Sequence, residues 1–428
     1  MILLRQATPE IDNRPARVLV APRPRWLGRG ALTLAMLLAA TCVYVLRQPA
    51  VVTSPTFWAE DGTIFFKGAI ERGLGALFDP YNGQVWLFQR IVALLAATLP
   101  VSIQPAVYVL VSVATAVLSC SIVLSSRWRF SVPLEARFLC LLALLCSPAV
   151  DEVFGALSNA HWFLAIGLVL MGMLADPLSR RLKLGEIGFT ALTALSGFAA
   201  LYALPSLAVR AFRNRSGHSR ALLWVALAGV VVQYVYLLAS GRRGNLAGMI
   251  ADPALDMIVL VRRIFGGAVL GDSNLALLWP NRLPDWWVWL LPIALIVALT
   301  VVWIRAPRIE VVALLLALLG GWALALWTLW AFTDPLGMLW SFGGRYFVVP
   351  VAMVYVSLTV SWPSGRLRRT MIGLACVLLT TGILSDFHLE PIPAADWAPF
   401  AACVEKGTTT CTTIIPPGWT LEVTPSGP

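Results

Sequence analysis

The stretch IQPAVYVLVSVATAVLSCSIVL, Ile103–Leu124, carries no charged side chain and is followed by Arg127 and Arg129. As a helix it would span about 33 Å, enough to cross the hydrocarbon core of a bilayer, and the two arginines mark the end that stays in the cytoplasm. The rest of the chain repeats the theme. Of 428 residues, 59% are hydrophobic and only 13% charged, with 18 Trp and a mean hydropathy of +0.79. Such a composition cannot be arranged around one water-facing core, so the chain reads as an all-α polytopic membrane protein. The net charge of +10 does not point to nucleic acid, because the Lys and Arg sit in short clusters between apolar runs, where cytoplasmic loops carry them.

Apolar length and basic flanks place spans at 30–46, 103–124, 134–149, 161–175, 187–196, 198–209, 221–240, 286–304, 310–332, 346–362 and 370–384. That is a bundle of about eleven transmembrane helices, with the N-terminus cytoplasmic and the C-terminus outside. Residues 1–29 form a basic cytoplasmic tail and 30–384 the transmembrane domain. The tail is too long and arginine-rich for a signal peptide, and no cleavage site follows, so the first helix is expected to be retained. Within the first outer loop, 51–101, the apolar run Gln84–Leu99 is short for a span and stops at Pro100; it reads as a helix lying in the interface. At 186–210 the pair Ser196-Gly197 interrupts an apolar segment. Two short helices meeting at Gly197 would return Arg210, Arg213, Arg215 and Arg220 to the cytoplasm, and this hairpin is the reading adopted.

With this topology 16 of the 22 acids fall on the outer side, so carboxylate chemistry is expected there. The first loop contains Thr56-Phe57-Trp58-Ala59-Glu60-Asp61-Gly62, two adjacent acids among aromatic residues. Near a membrane surface such a pair can bind a divalent cation, Mg or Mn, or take a proton from a hydroxyl. Tyr81, Asn82 and Arg90 follow. The next outer loop holds Asp151, Glu152, Asn159 and His161, and a third approach to the boundary carries Ser341-Phe342-Gly343-Gly344-Arg345. Taken singly, these residues equally describe an aromatic belt, an interfacial histidine and a snorkelling arginine. From Ser385 the chain becomes polar and proline-rich, a short outer segment (385–428) with strand character at Cys411–Ile415. Cys403 and Cys411 are the two cysteines expected outside, where they can close a small disulfide loop; the other five lie in apolar spans.

Phe57-Trp58-Ala59-Glu60-Asp61-Gly62, Pro80-Tyr81-Asn82-Gly83 with Arg90, Ser158-Asn159-Ala160-His161-Trp162 and Gly344-Arg345-Tyr346-Phe347-Val348-Val349-Pro350 together resemble a group of bacterial inner-membrane proteins whose layout is similar to GT-C class glycosyltransferases. The resemblance implies transfer of a sugar from a polyprenyl-phosphate donor to a glycan or glycolipid acceptor at the periplasmic face, within membrane lipid. It implies catalytic roles for Asp61, favoured as the base, and Glu60, its support or a metal ligand. Arg345 would pair with the donor phosphate. Asn159, His161, Tyr81, Arg90 and Trp58 would contact substrate. With no large C-terminal domain in view, a small or lipid-linked acceptor is expected rather than a protein. The rival readings are a transporter or flippase of lipid-linked saccharides, and a non-catalytic scaffold of envelope assembly.

Overall fold

The computed structural model describes residues 29–150, 152–241, 252–278, 286–304, 306, 308–329, 343–362, 365–393, 395–407 and 409–425. The basic tail up to residue 28, Asp151 and Ser341-Phe342 lie outside the described residues. The chain is mostly helical, and each apolar run expected from the sequence is a helix. In order these are α1 (Arg29–Leu46), α2 (Leu87–Ala96), α3 (Gln104–Ser121), α4 (Leu134–Leu145), α5 (Ala160–Gly172), α6 (Arg180–Ala194), α7 (Ala199–Asn214) and α8 (Gly217–Ala239). After α9, described below, come α10 (Leu290–Ile304), α11 (Arg308–Leu329), α12 (Val348–Val360), α13 (Arg366–Ser385) and α14 (Trp397–Lys406). Among the described residues, four helical stretches are long and apolar enough to cross a membrane by length and composition: Val101–Leu124, Gly217–Ala239, Ile309–Thr328 and Arg366–Ser385. The chain therefore has the character of a membrane protein, while the expected number of eleven crossings is not carried by helix length alone.

The largest departure from the sequence reading is α9. A loop was expected between the seventh and eighth spans, but Pro253–Val259 begins a helix that continues through a π-helical stretch, Leu260–Gly266, and ends at Gly267–Leu270. Asp252 caps its start by accepting from Leu255 N at 3.0 Å. Asp256, Arg262 and Arg263 interrupt its apolar pattern, which is why hydropathy passes over it, yet all three are buried. Trp322 Nε1 donates to Asp256 O at 3.2 Å, and Arg263 lies over the Phe347 ring at 5.0 Å. The last turn packs on α13 with no side chain at Gly382, whose Cα faces the carbonyl of Ala268 so closely that a methyl group would collide with it.

The break between α6 and α7 is a hairpin, as expected. Its two far ends are clamped: buried Arg210 reaches Glu186 at 2.7 Å and Asp176 at 3.1 Å, and Arg127 and His218 bond the same Glu186 at 2.5 and 2.8 Å. Its tip, Ser196-Gly197, leaves backbone groups without helical partners. The segment 84–88, which runs from isolated bridge residues into the start of α2, fills them. Gly197 N donates to Val85 O, Leu87 N to Leu195 O, and Phe88 N to Ser196 Oγ, all within 2.8–2.9 Å. Gln233 of α8 closes the junction, accepting from Val85 N at 2.8 Å and donating to Val85 O at 3.0 Å. The broken backbone at this tip is thus satisfied by protein groups.

A second core forms at the end of the bundle that carries the first loop. β1 (Cys411–Ile415) and β2 (Trp419–Val423) make an antiparallel hairpin, and Cys403 in α14 is disulfide-bonded to Cys411. This C-terminal unit does not stand apart. Ala59 N donates to Pro416 O at 2.8 Å, Trp397 Nε1 to Val101 O at 2.9 Å, and Val101 N to Glu405 Oε1 at 2.9 Å. Phe57 is enclosed by Phe66, Tyr108 and Trp397, with ring centroids 4.7–5.0 Å apart. The aromatic burial fixes the loop bearing the two acids in place.

Candidate functional site

Glu60 and Asp61 begin a tight helical turn. Asp61 N donates to Trp58 O at 2.6 Å, and residues Asp61–Phe66 wind as a π-helix, which sends neighbouring side chains in different directions. Asp61 points inward and is 1% exposed. Its Oδ1 accepts from Ser158 N at 2.6 Å and its Oδ2 from Leu157 N at 3.1 Å. Burial drives its carboxyl up to about 7, outweighing the two backbone N–H groups that favour the charged form. Glu60, half-buried, opens instead into a cleft of about 1040 Å³ measured out to its mouth.

This cleft gathers most of the expected site residues: Glu60, Tyr81, Asn159, His161 and Arg345 all line it. The Asp61-held turn sets their positions. Ser158 O accepts from His161 Nδ1 at 3.0 Å, which fixes the ring, and Asn159 Nδ2 donates to Glu152 O at 2.9 Å. Trp86 stands edge-on to His161 at 4.7 Å, and its Nε1 holds Tyr81 O at 2.8 Å. Arg345 lies over Tyr346 at 5.5 Å. Glu152 accepts from Gly343 N at 3.2 Å and from Arg345 N at 3.4 Å, and its Oε2 is 4.0 Å from Arg345 Nε. Glu152, read from the sequence only as half of an acid pair, thus supports the turn that presents the arginine.

Three of the expected site residues, Asp61, Arg90 and Trp58, do not line this cleft. Asp61 is not at the cleft wall; it holds the second loop, and Glu60 is the one of the two carboxylates that lines the cleft. Arg90 is not there either. It is buried beneath the loop, donating to Ile64 O at 2.9 Å and lying over the Phe65 ring at 5.2 Å, so it braces the acid-bearing turn. Trp58 faces a different cleft. Each Asp61 oxygen accepts one backbone N–H, and among the described residues no three His, Cys, Asp or Glu side chains converge.

The sequence reading missed how much of the cleft comes from the helices. Phe198, Ala199 and Tyr202 of the α7 region form one wall, with Leu237 of α8 on one side and Leu324, Trp327 and Thr328 of α11 on the other. Aromatic residues clustered at helix ends were the available signal, but an interfacial belt gives the same pattern. Two buried polar atoms on the wall, Trp162 Nε1 and Tyr202 Oη, have no hydrogen-bond partner among the described residues. No family model matches the chain, and no curated protein or solved structure is similar enough to count as a match.

Proposed function

We propose that the protein is an integral-membrane glycosyltransferase that moves a sugar from a polyprenyl-phosphate donor to a glycan or glycolipid acceptor at the periplasmic face of a bacterial inner membrane. The observation that carries this reading is the convergence of one acid, Glu60, and one cation, Arg345, on a single aromatic cleft with two unmet donors in its wall. Aromatic faces suit the apolar side of a pyranose, and Trp162 Nε1 and Tyr202 Oη suit its hydroxyls. The α7 floor between α8 and α11 suits an apolar lipid chain. In the reaction the acceptor hydroxyl oxygen bonds to the anomeric carbon as the bond from that carbon to the phosphate oxygen breaks. Glu60 takes the hydroxyl proton, and the lipid phosphate leaves with the electron pair beside Arg345.

The test is Glu60→Gln, expressed at the level of the unaltered protein. Loss of a surface-glycan modification supports the enzyme, whereas an unchanged glycan profile sinks it.

A carrier of lipid-linked saccharides is the second reading, favoured by buried Arg262 and Arg263 in α9. Reconstituted vesicles separate the two. A carrier moves labelled lipid-linked sugar without making a glycosidic bond and is indifferent to Glu60→Gln.

A further inference from the structure

Trp58 stands two residues before Glu60 but belongs to a second cleft, of about 1730 Å³ measured to its mouth, between the C-terminal hairpin and the ends of the bundle. Four acids line it: Glu152, Asp272, Asp386 and Glu390. No Lys or Arg does so among the described residues, although the exposed His388 does; Arg263 is 3% exposed and lies 4.0 Å behind Asp272. Asp386 is engaged by Asp272 N and Ser273 N, while Glu390 is exposed. At the wall sits Gln48, 4% exposed, whose Nε2 donates to Glu390 O and whose Oε1 has no hydrogen-bond partner among the described residues. The cleft therefore combines a half-buried indole, carboxylates that accept hydrogen bonds, and an orphan acceptor. This is the chemistry of a polyhydroxylated ligand without negative charge. Glu152 lines the second cleft and lies 4.0 Å from Arg345, which lines the first.

We infer that this second cleft seats the acceptor, a saccharide that is neutral or amine-bearing rather than phosphorylated, sulfated or uronic. The inference rests on the glycosyl-transfer reading. It divides the labour by charge: the lipid phosphate goes to the cleft with Arg345, and the acceptor to the cleft whose carboxylates would repel a second anion. Trp58 stacks on the acceptor sugar, Gln48 Oε1 takes one hydroxyl, and the chain segment Trp58-Ala59-Glu60 links the acceptor seat to the carboxylate that removes its proton.

Full-length protein in detergent, applied to an array of immobilised neutral, amine-bearing, sulfated and uronic oligosaccharides, tests this without turnover. The expected result is retention on neutral or amine-bearing glycans, weakened about five-fold or more by Trp58→Ala, the scale of a lost stacking contact, and retained by Trp58→Phe. Glu390→Lys, at an exposed position, shifts retention toward acidic glycans, and Glu60→Gln leaves binding in place. Absence of neutral binding, preference for acidic glycans, or indifference to Trp58→Ala overturns the inference. Failure on the array with Glu60→Gln still abolishing transfer in cells removes the acceptor assignment alone; success on the array with Glu60→Gln silent in cells removes the catalytic reading instead.

Discussion

Asp61 and Ser158 meet at 2.6 Å, a buried carboxylate on the first loop receiving the backbone N–H that precedes Asn159 and His161. Through this bond the acid with the stronger claim to catalysis by sequence becomes the support of residues that line the cleft. Asp61→Ala should leave the Leu157 and Ser158 N–H groups unmet, at a cost of about 1–3 kcal/mol for each, and lower both thermal stability and transfer. Asp61→Asn keeps one acceptor and should recover part of the stability. Glu60→Gln should leave the melting temperature within about a degree while removing transfer. Equal loss of stability in the two Gln/Asn variants would contradict the division of roles.

The raised Asp61 carboxyl gives stability a pH dependence. Because the folded state holds the proton up to about 7, against an ordinary value of 3.8, its contribution is fully present below pH 3.8. It is lost as pH rises through about 7. The difference in melting temperature between the unaltered protein and Asp61→Asn, followed from pH 4 to 8, should therefore shrink toward neutral pH; a flat difference would refute the assignment.

At the opposite end of the bundle, Asp176 is held down at about 2: burial opposes its charge, but the Ser216 and Ser219 hydroxyls, Asn214 and Arg210 outweigh it. This contribution is present above pH 3.8 and is lost as pH falls through about 2. Arg210, 1% exposed, joins Asp176 and Glu186 across the α6–α7 hairpin. Arg210→Met should leave Glu186 buried with fewer partners and destabilise the protein by about 3–5 kcal/mol, read as a fall in detergent-solubilised melting temperature.

Gly197 adopts φ +74 at the hairpin tip, and a methyl group there would come within 3.1 Å of Gln84 Oε1. Gly197→Ala should cost about 1–2 kcal/mol from the left-handed backbone. It should also displace Gln84, raising the donor KM more than it lowers kcat. An unchanged KM would show that the 84–88 segment does not shape the cleft.

Much of the architecture was legible because apolar runs and basic flanks are local properties. Ile103–Leu124, the Gly197 break and the strand at Cys411–Ile415 could each be read from adjacent residues, since burying an apolar helix face or turning at a glycine is decided within a few positions. α9 was not legible, because its Arg262-Arg263 pair looks like a loop until the Phe347 ring, remote in sequence, and Asp272, just past its end, are folded against Arg263.

The sequence by itself determined the class, an apolar helical chain with its acids concentrated between spans, and it nominated Glu60, Asp61, Asn159, His161 and Arg345. Only the tertiary structure decided which of two adjacent carboxylates faces a cleft. It also decided that Arg90 braces from below, that Trp58 belongs to a second cavity, and that the C-terminal hairpin packs on the first loop. The reason is physical: consecutive residues on a helical turn diverge by about 100°, and which direction is solvent depends on backbone N–H groups 96 and 97 residues away, which no local pattern encodes.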